Sequence, residues 1–218
     1  MRLTLILLLS VLVSFGNGQN EVNSFNSDGE KEGLWIERSE EMVSRGQYVS
    51  GKKEGLWKSN YSIKNLSHAS KIEEYQNGVY HGTVYNINYN GQLISEENYS
   101  EGRLSGMSVF YEKHGGLERK MNYLDGQLDG ETEIYYATGA IQEKGNYSKG
   151  KRDGLTQWFN EQSQLIMSST YNLGVLDGPQ RLFENARLSA EGNYKNNQKI
   201  GLWKQYDASG KVIREEKF

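Results

Sequence analysis

The segment YLDGQLDGETEIYYATGAIQEKGN, residues 123–146, decides the fold of this chain, because close variants of it follow one another along the sequence. It opens with the pattern Tyr-x-x-Gly-x-x-x-Gly. The full pattern begins at six tyrosines: Tyr48, Tyr75, Tyr99, Tyr123, Tyr147 and Tyr171. A further copy from Tyr194 has Asn197 in place of its first glycine, and an opening copy, Gly29 to Gly33, lacks the tyrosine. An internal repeat of this length indicates a linear repeat architecture.

The second glycine of the pattern marks eight units. These glycines are Gly33, Gly55, Gly82, Gly106, Gly130, Gly154, Gly178 and Gly201, and the steps between them run from 22 to 27 residues. The longest unit has its extra residues near Asn65–His68, which we interpret as a longer turn. Phe218 stands 24 residues after Tyr194, where the next tyrosine of the series is expected.

Each unit has the pattern of a β-hairpin. A β-rich run such as GLTQWF (154–159) follows the second glycine, a turn such as Ala137-Thr138-Gly139 comes next, and an alternating run then leads to the next tyrosine. Glycine and asparagine tolerate the positive φ that tight hairpin turns require. The aliphatic residue six before most tyrosines is expected to share their face, since side chains alternate along a strand. Gly145 and Gly192, two before their tyrosines, are expected to leave room for a neighbouring ring.

No helical period is sustained after residue 18, so the sequence predicts an all-β fold. The expected architecture is an elongated open array of stacked antiparallel β-hairpins, about eight repeats of ~24 residues. We expect three segments: a signal peptide over 1–18, a polar and frayed N-terminal segment over 19–28, and a single repeat domain over 29–218.

The N-terminus has the layout of a secretory signal peptide. Arg2 precedes an apolar run from Leu3 to Phe15, and the small residues Gly16 and Gly18 follow. The run is short for a membrane span, which needs about 20 apolar residues. Cleavage is expected after Gly18, with Gly16 as the alternative site and an uncleaved anchor as the competing interpretation. The chain is therefore expected to be exported to the periplasm or the extracellular space, with no membrane insertion after cleavage.

Composition excludes several functional classes. The absence of cysteine excludes disulfides, zinc–thiolate sites and a cysteine nucleophile. A formal net charge of −3 gives no footprint for nucleic acid or an anionic membrane. The three histidines, His68, His81 and His114, fall in different units without metal-ligand spacing, and no Gly-x-Ser-x-Gly elbow occurs. We therefore expect no enzymatic activity, no cofactor and no metal ion.

The tandem pattern of tyrosine, paired glycines and aromatic residues resembles the MORN-repeat variant family of bacterial proteins, whose members are often described as YwqK-type antitoxins. The resemblance covers residues 29–218. It implies stacked antiparallel hairpins that form an elongated, curved sheet, and a binding rather than a catalytic role.

Aromatic and acidic columns are the candidate functional positions. The tyrosine column is interpreted as packing between hairpins. A second aromatic column, five residues after the second glycine, comprises Tyr111, Tyr135, Phe159, Phe183 and Tyr206. From the aromatic residues we select five candidate partner-binding positions: Trp57, Tyr111, Tyr135, Trp158 and Trp203. The competing interpretation is that these rings pack between hairpins. The position before the second glycine is acidic in five units: Glu32, Glu54, Asp129, Asp153 and Asp177. We interpret these acids as turn residues that bond their own backbone, with attraction of a basic partner as the alternative.

The sequence therefore predicts an exported, non-enzymatic repeat protein that acts as a protein–protein interaction scaffold, with an antitoxin- or immunity-like role as its specific form. The expected partner is an unidentified protein, and the chain is expected to be a monomer. The alternative is a cell-wall or glycan-binding module, because aromatic hairpin repeats of about 20 residues also occur in sugar-binding proteins.

Overall fold

The protein is a single antiparallel β-sheet in the computed structural model, which describes residues 21–62 and 68–218. The first ten strands are β1 Ser24–Phe25, β2 Lys31–Arg38, β3 Met42–Val49, β4 Lys52–Tyr61, β5 Ala69–Gln76, β6 Val79–Tyr80, β7 Gly82–Ile87, β8 Leu93–Ser100, β9 Arg103–Leu104 and β10 Gly106–Tyr111. The second ten are β11 Leu117–Leu124, β12 Gln127–Tyr135, β13 Ile141–Ser148, β14 Lys151–Arg152, β15 Gly154–Phe159, β16 Leu165–Asn172, β17 Val175–Glu184, β18 Arg187–Lys195, β19 Gln198–Tyr206 and β20 Val212–Lys217. The predicted signal peptide lies outside the described residues, as does most of the long turn near Asn65–His68.

Each strand pairs with its neighbours in the chain, so the sheet is a continuous meander. β6 and β7 both pair with β5 and follow each other along one strand line, which is interrupted at His81. In the same way β9 and β10 both pair with β8, and β14 and β15 both pair with β13. Residues 21–62 and 68–218 form 20 strands of one sheet and no helix. The predicted all-β array of stacked hairpins is therefore confirmed.

The turn between units explains the first glycine of the pattern. Asp125 and Gly126 both have positive φ, 49° and 79°, which is the type I′ geometry that matches strand twist. In the last such turn Asn196 and Asn197 adopt φ of 50° and 65°. Asparagine tolerates this conformation better than other side chains do, so Asn197 can replace the glycine.

The turn within a hairpin is longer and uses a polar side chain. The amide of Asp207 donates to the carbonyl of Lys211 at 2.9 Å, and Gly210 in that turn has a φ of 84°. The Asp207 carboxylate accepts the amides of Ser209 and Lys211 at 2.8 and 3.0 Å. Such a side chain fixes the turn by imitating backbone.

The second glycine lies within a strand line rather than at a turn. Gly130 has a φ of 103° and pairs with Tyr147 of the next strand. On its other side the register shifts, because β11 advances by two residues, from Met121 to Tyr123, while β12 advances by four, from Leu128 to Thr132. Irregularities of this kind bend a sheet, so each unit bends at this glycine.

The predicted common face for the tyrosines and the aliphatic residues six before them is wrong. Tyr111 pairs with Leu117 whereas Phe110 pairs with Arg119, which leaves Glu118 as an extra residue in the strand. One extra residue reverses the alternation of side chains. The aliphatic residue therefore shares a face with the second aromatic column and not with the tyrosine.

The array begins earlier than the sequence indicates. Phe25 of β1 pairs with Lys31, as Tyr48 pairs with Lys53 one unit later, and its ring packs edge-on against Trp35 at 5.2 Å. The side chain of Asn23 accepts the amide of Ile36 at 2.7 Å. The expectation that this segment is frayed is therefore wrong for residues 23–28, where Phe25 occupies the tyrosine position of the opening unit.

Candidate binding surface

The face of the sheet that carries the tyrosines, called here the ladder face, is held together by aromatic rings at its N-terminal end. Tyr48 packs edge-on against Trp35 and Trp57, with centroid distances of 5.6 and 5.2 Å, and Trp57 reaches Tyr75 at 6.3 Å. Trp57 is fully buried, and its Nε1 donates to the carbonyl of Gln47 at 3.1 Å. These rings form the core that the thin sheet otherwise lacks.

Glycines make space for the tryptophans. A Cβ on Gly46 would lie 2.3 Å from the ring of Trp57, and a Cβ on Gly192 would lie 2.2 Å from the ring of Trp203. The expectation of a neighbouring ring is thus confirmed for Gly192. It is wrong for Gly145, whose nearest neighbour is the side chain of Thr156 at 3.0 Å.

The middle of the ladder face has a floor of small hydroxyl residues where the ends have tryptophan. Ser108 and Thr156 are fully buried, and Thr132 is nearly so. Ser108 and Thr156 occupy the register of Trp57, two residues after the second glycine. No ring fills this register at Ser108, Thr132 or Thr156, so the ladder face there lacks the tryptophan packing of the ends.

Charged side chains clasp the rings on the ladder face. The Glu37 carboxylate pairs with Lys31 at 2.7 Å and Lys53 at 3.1 Å and accepts the hydroxyl of Tyr48 at 2.9 Å. Lys53 in turn lies 4.0 Å from the centre of the Trp57 ring. Partial burial opposes ionisation, but these hydrogen bonds outweigh it and lower the pKa of Glu37 to about 2.

A second clasp lies in the middle of the array. Arg152 pairs with Glu143 at 2.5 Å and donates to the hydroxyl of Tyr147 at 3.0 Å. The indole Nε1 of Trp158 donates to the other oxygen of Glu143 at 2.7 Å. Burial works against the guanidinium charge, yet the hydrogen bond to Tyr147 and the charge of Glu143 leave the pKa of Arg152 raised. Both carboxylate oxygens of Glu143 are thus bonded within the protein.

The five candidate aromatic residues fall into three groups. Trp57 and Trp203 are buried in the ladder, so neither ring is presented to a partner. Trp158 is half-buried and bonded to Glu143. Tyr111 and Tyr135 are half-buried on the opposite face, called here the open face.

Carboxylates hold the tyrosines of the open face. The hydroxyl of Tyr111 donates to Glu96 at 2.5 Å, and that of Tyr135 donates to Glu133 at 2.5 Å. Burial and the hydrogen bond to Glu96 raise the pKa of Tyr111 to about 12. Both residues remain partly exposed.

The acidic column links consecutive units. Glu54 accepts the amide of Asn77 at 2.8 Å, and Asp153 accepts the amide of Leu173 at 3.1 Å. Each acceptor is thus bonded to the turn of the following unit, and the interpretation that these acids bond their own backbone is corrected accordingly. Across residues 21–62 and 68–218, no group of three or more acidic or histidine side chains is arranged to hold a metal ion.

A row of exposed aliphatic side chains on the open face was not singled out from the sequence. The residue directly after the second glycine is large and apolar in five units, and in each of them it is at least a third exposed: Leu34, Leu56, Met107, Leu155 and Leu202. Leu56 is 64% exposed and Leu155 is 53% exposed, although the tryptophan or threonine that follows each is fully buried. The signal was present in the recurring Gly-Leu dipeptide.

Comparison with known proteins supports the repeat assignment. The family model of the MORN repeat variant matches residues 128–149 and 199–218, which supports placing the chain with MORN-repeat proteins. No curated protein matches the chain. Among solved structures, the crystal structure of TarM aligns with a TM-score of 0.30 at 11% identity, covering 46% of this chain and 19% of TarM. The aligned part is thus less than a fifth of TarM, and the likeness is too low to carry an argument.

Among the residues that the structure describes, no helix has the length and apolar character to span a membrane.

Proposed function

We propose that the protein is a non-enzymatic scaffold that binds another protein through the open face of its sheet. The observation that carries this proposal is the exposed aliphatic row, Leu34, Leu56, Met107, Leu155 and Leu202. Single exposed apolar residues are ordinary on protein surfaces. Five at one register are different, because they are aligned along the array where an extended partner can contact them in turn.

The ladder face supports the same choice by elimination. Its tryptophans at the two ends are buried, and its charged groups Glu37 and Glu143 are engaged in clasps. These side chains stabilise the contacts between units. MORN repeats are generally binding modules for proteins or lipids, and the match to that family agrees with a binding role.

The specific form of the proposal is an exported, immunity-like protein whose partner acts outside the cytoplasm. It rests on the signal-peptide pattern of residues 1–18 and on the resemblance to antitoxin repeat proteins. The glycan alternative would use exposed aromatic platforms. The burial of Trp57 and Trp203 removes two of the rings on which it would depend.

A peptide selection tests the role of the open face. Random peptides displayed on phage are selected on the purified protein, and their affinities are then measured by fluorescence anisotropy. Leu155→Ser combined with Leu202→Ser is expected to weaken the selected peptides at least tenfold. Leu173→Ser is the matched control, since Leu173 is 49% exposed but lies in a turn outside the row.

Two results would overturn the proposal. One is equal affinity of the selected peptides for the row variant and for the wild type. The other is enrichment no higher than on an unrelated β-protein. Melting temperatures of all variants are compared first, because loss of fold would imitate loss of binding.

A further inference from the structure

A row of charged and apolar side chains crosses the open face beside the aliphatic row. It takes one residue from each long strand line, and consecutive members lie directly opposite one another across the sheet. In order they are Ile36, Arg45, Lys58, Ile72, Tyr85, Glu96, Val109, Lys120, Glu133, Lys144, Gln157, Ser168, Arg181, Glu191, Lys204 and Glu215.

Charges along this row are compensated in the later units. Glu133 lies between Lys120 and Lys144, at 3.6 and 3.3 Å. Arg181 pairs with Glu191 at 3.3 Å. Opposite charges across neighbouring strands stabilise a sheet, and like charges in the same position destabilise it.

Arg45 and Lys58 break this rule. They face each other across β3 and β4 and are the one pair of like charges that are direct neighbours in the row. Both side chains are exposed, and neither forms an ion pair with any residue that the structure describes. Glu74, which pairs with Leu56 across β4 and β5, has its carboxylate turned toward Gly82, where a Cβ would meet it at 2.1 Å.

Apolar side chains surround the two cations. Ile36 and Ile72 flank them in the row, and both are half-buried. Leu56, 64% exposed, lies two residues before Lys58 on the same face. The patch therefore offers two uncompensated positive charges beside an exposed leucine.

We infer that Arg45 and Lys58, with Leu56, form a subsite for an extended acidic segment of a partner protein that carries an apolar residue beside its carboxylates. This inference rests on the proposed function and names the chemistry of the partner at the first two units. Alternate residues of an extended strand lie about 7 Å apart on one side. Two carboxylates at that spacing fit two long cationic side chains on adjacent strands.

Charge favours an acidic protein segment over a polyanionic surface. The chain as a whole has a net charge of −3, which repels nucleic acid and anionic bilayers. A short acidic segment contacts only the patch around Arg45 and Lys58, so the net negative charge of the whole chain repels it less than it repels an extended polyanion.

The test uses a fluorescent peptide with the sequence Gly-Ser-Glu-Ser-Glu-Ser-Leu-Ser, whose glutamates and leucine share one side of an extended strand, and its counterpart with glutamine in place of glutamate. Arg45→Gln combined with Lys58→Gln is expected to weaken binding of the acidic peptide at least tenfold. Lys120→Gln combined with Lys144→Gln, at the same row, is the matched control and is expected to change it less than twofold. The glutamine peptide is expected to bind at least tenfold more weakly to the wild type.

A stability measurement tests the uncompensated charge independently of any ligand. Lys58→Glu creates an opposite-charge pair with Arg45 and is expected to raise the melting temperature at low salt. Lys120→Glu places two acids opposite each other and is expected to lower it. The electrostatic argument would be contradicted if the two variants shifted the melting temperature equally, or if Lys58→Glu lowered it and Lys120→Glu raised it.

Other outcomes separate this inference from the proposed function. Selected peptides that need Leu155 and Leu202 but are indifferent to Arg45 and Lys58 would overturn the subsite and leave the scaffold standing. An acidic peptide that needs Arg45 and Lys58 supports the subsite whether or not the selected peptides need Leu155 and Leu202, because eight extended residues span about 26 Å and do not reach that part of the row. Equal competition by inorganic phosphate or by phosphatidylserine vesicles would replace the protein segment with a general anion site and overturn the inference.

Discussion

Replacing Gly46 by alanine is expected to destabilise the array strongly, although it adds a single methyl group. Gly46 has no positive φ, so the effect comes from space alone. The new Cβ would lie 2.3 Å from the Trp57 ring, more than 1 Å inside ordinary contact distance. The ring has no free direction in which to move, because it is fully buried between Tyr48 and Tyr75.

The expected loss is about 3 kcal/mol of unfolding free energy, at the upper end of what overpacking costs. Gly145→Ala is the matched control at the same register. Its Cβ would meet the side chain of Thr156 at 3.0 Å, a contact that a small shift relieves. Alanine also restricts the unfolded chain more than glycine does, so Gly145→Ala is expected to stay within about 1 kcal/mol of the wild type.

Urea unfolding followed by far-UV circular dichroism measures these differences without depending on tryptophan emission. Adding Trp57→Leu to Gly46→Ala should relieve the clash, giving a coupling free energy of about 1 kcal/mol or more between the two sites. An unfolding free energy for Gly46→Ala within about 0.5 kcal/mol of the wild type, or equal losses for Gly46→Ala and Gly145→Ala, would refute the packing argument.

Three further predictions follow from the turns, the clasp and the repeat. Gly154→Val is expected to lower the melting temperature more than Gly116→Val does, since Gly154 has a φ of 84° and Gly116 has no positive φ; equal melting temperatures would contradict this. Glu37→Gln is expected to cost about 1–2 kcal/mol at pH 7. Because the pKa of Glu37 is lowered from 4.5 to about 2, that difference from the wild type should shrink as pH falls through this window, and a constant difference in pH-dependent denaturation would exclude the clasp. Deleting Tyr123–Asn146 is expected to leave a folded protein, whereas deleting Tyr123–Ile134 should not, as judged by circular dichroism and size exclusion; two equally misfolded products would count against independent units.

Periodicity in the sequence was sufficient to predict the meander. The paired glycines recur because each has a conformational task, as Gly126 in a type I′ turn and Gly130 at a strand irregularity show. Local conformation of this kind depends on a few adjacent residues, and the sequence displays it directly. The position of Phe218 at the end of the tyrosine series is a second example, since its amide donates to the carbonyl of Gly201 at 2.9 Å.

The face of the sheet on which a side chain lies, and how deeply it is buried, could not be predicted in the same way. The extra residue Glu118 reverses the alternation of its strand, and no residue type marks such an irregularity. The same limitation affected the candidate site. Trp57 was selected as a candidate partner-binding residue and is fully buried, whereas Leu56, one residue earlier, is 64% exposed.

The sequence by itself determined the repeat, the hairpin in each unit and the turns, because these depend on short-range backbone preferences. Only the tertiary structure decided which side chains are buried and which charges are compensated. Arg45 and Lys58 are 13 residues apart in the chain and become neighbours only when β3 pairs with β4. Register between strands joins distant residues, and a shift of one position moves each of them to the opposite face.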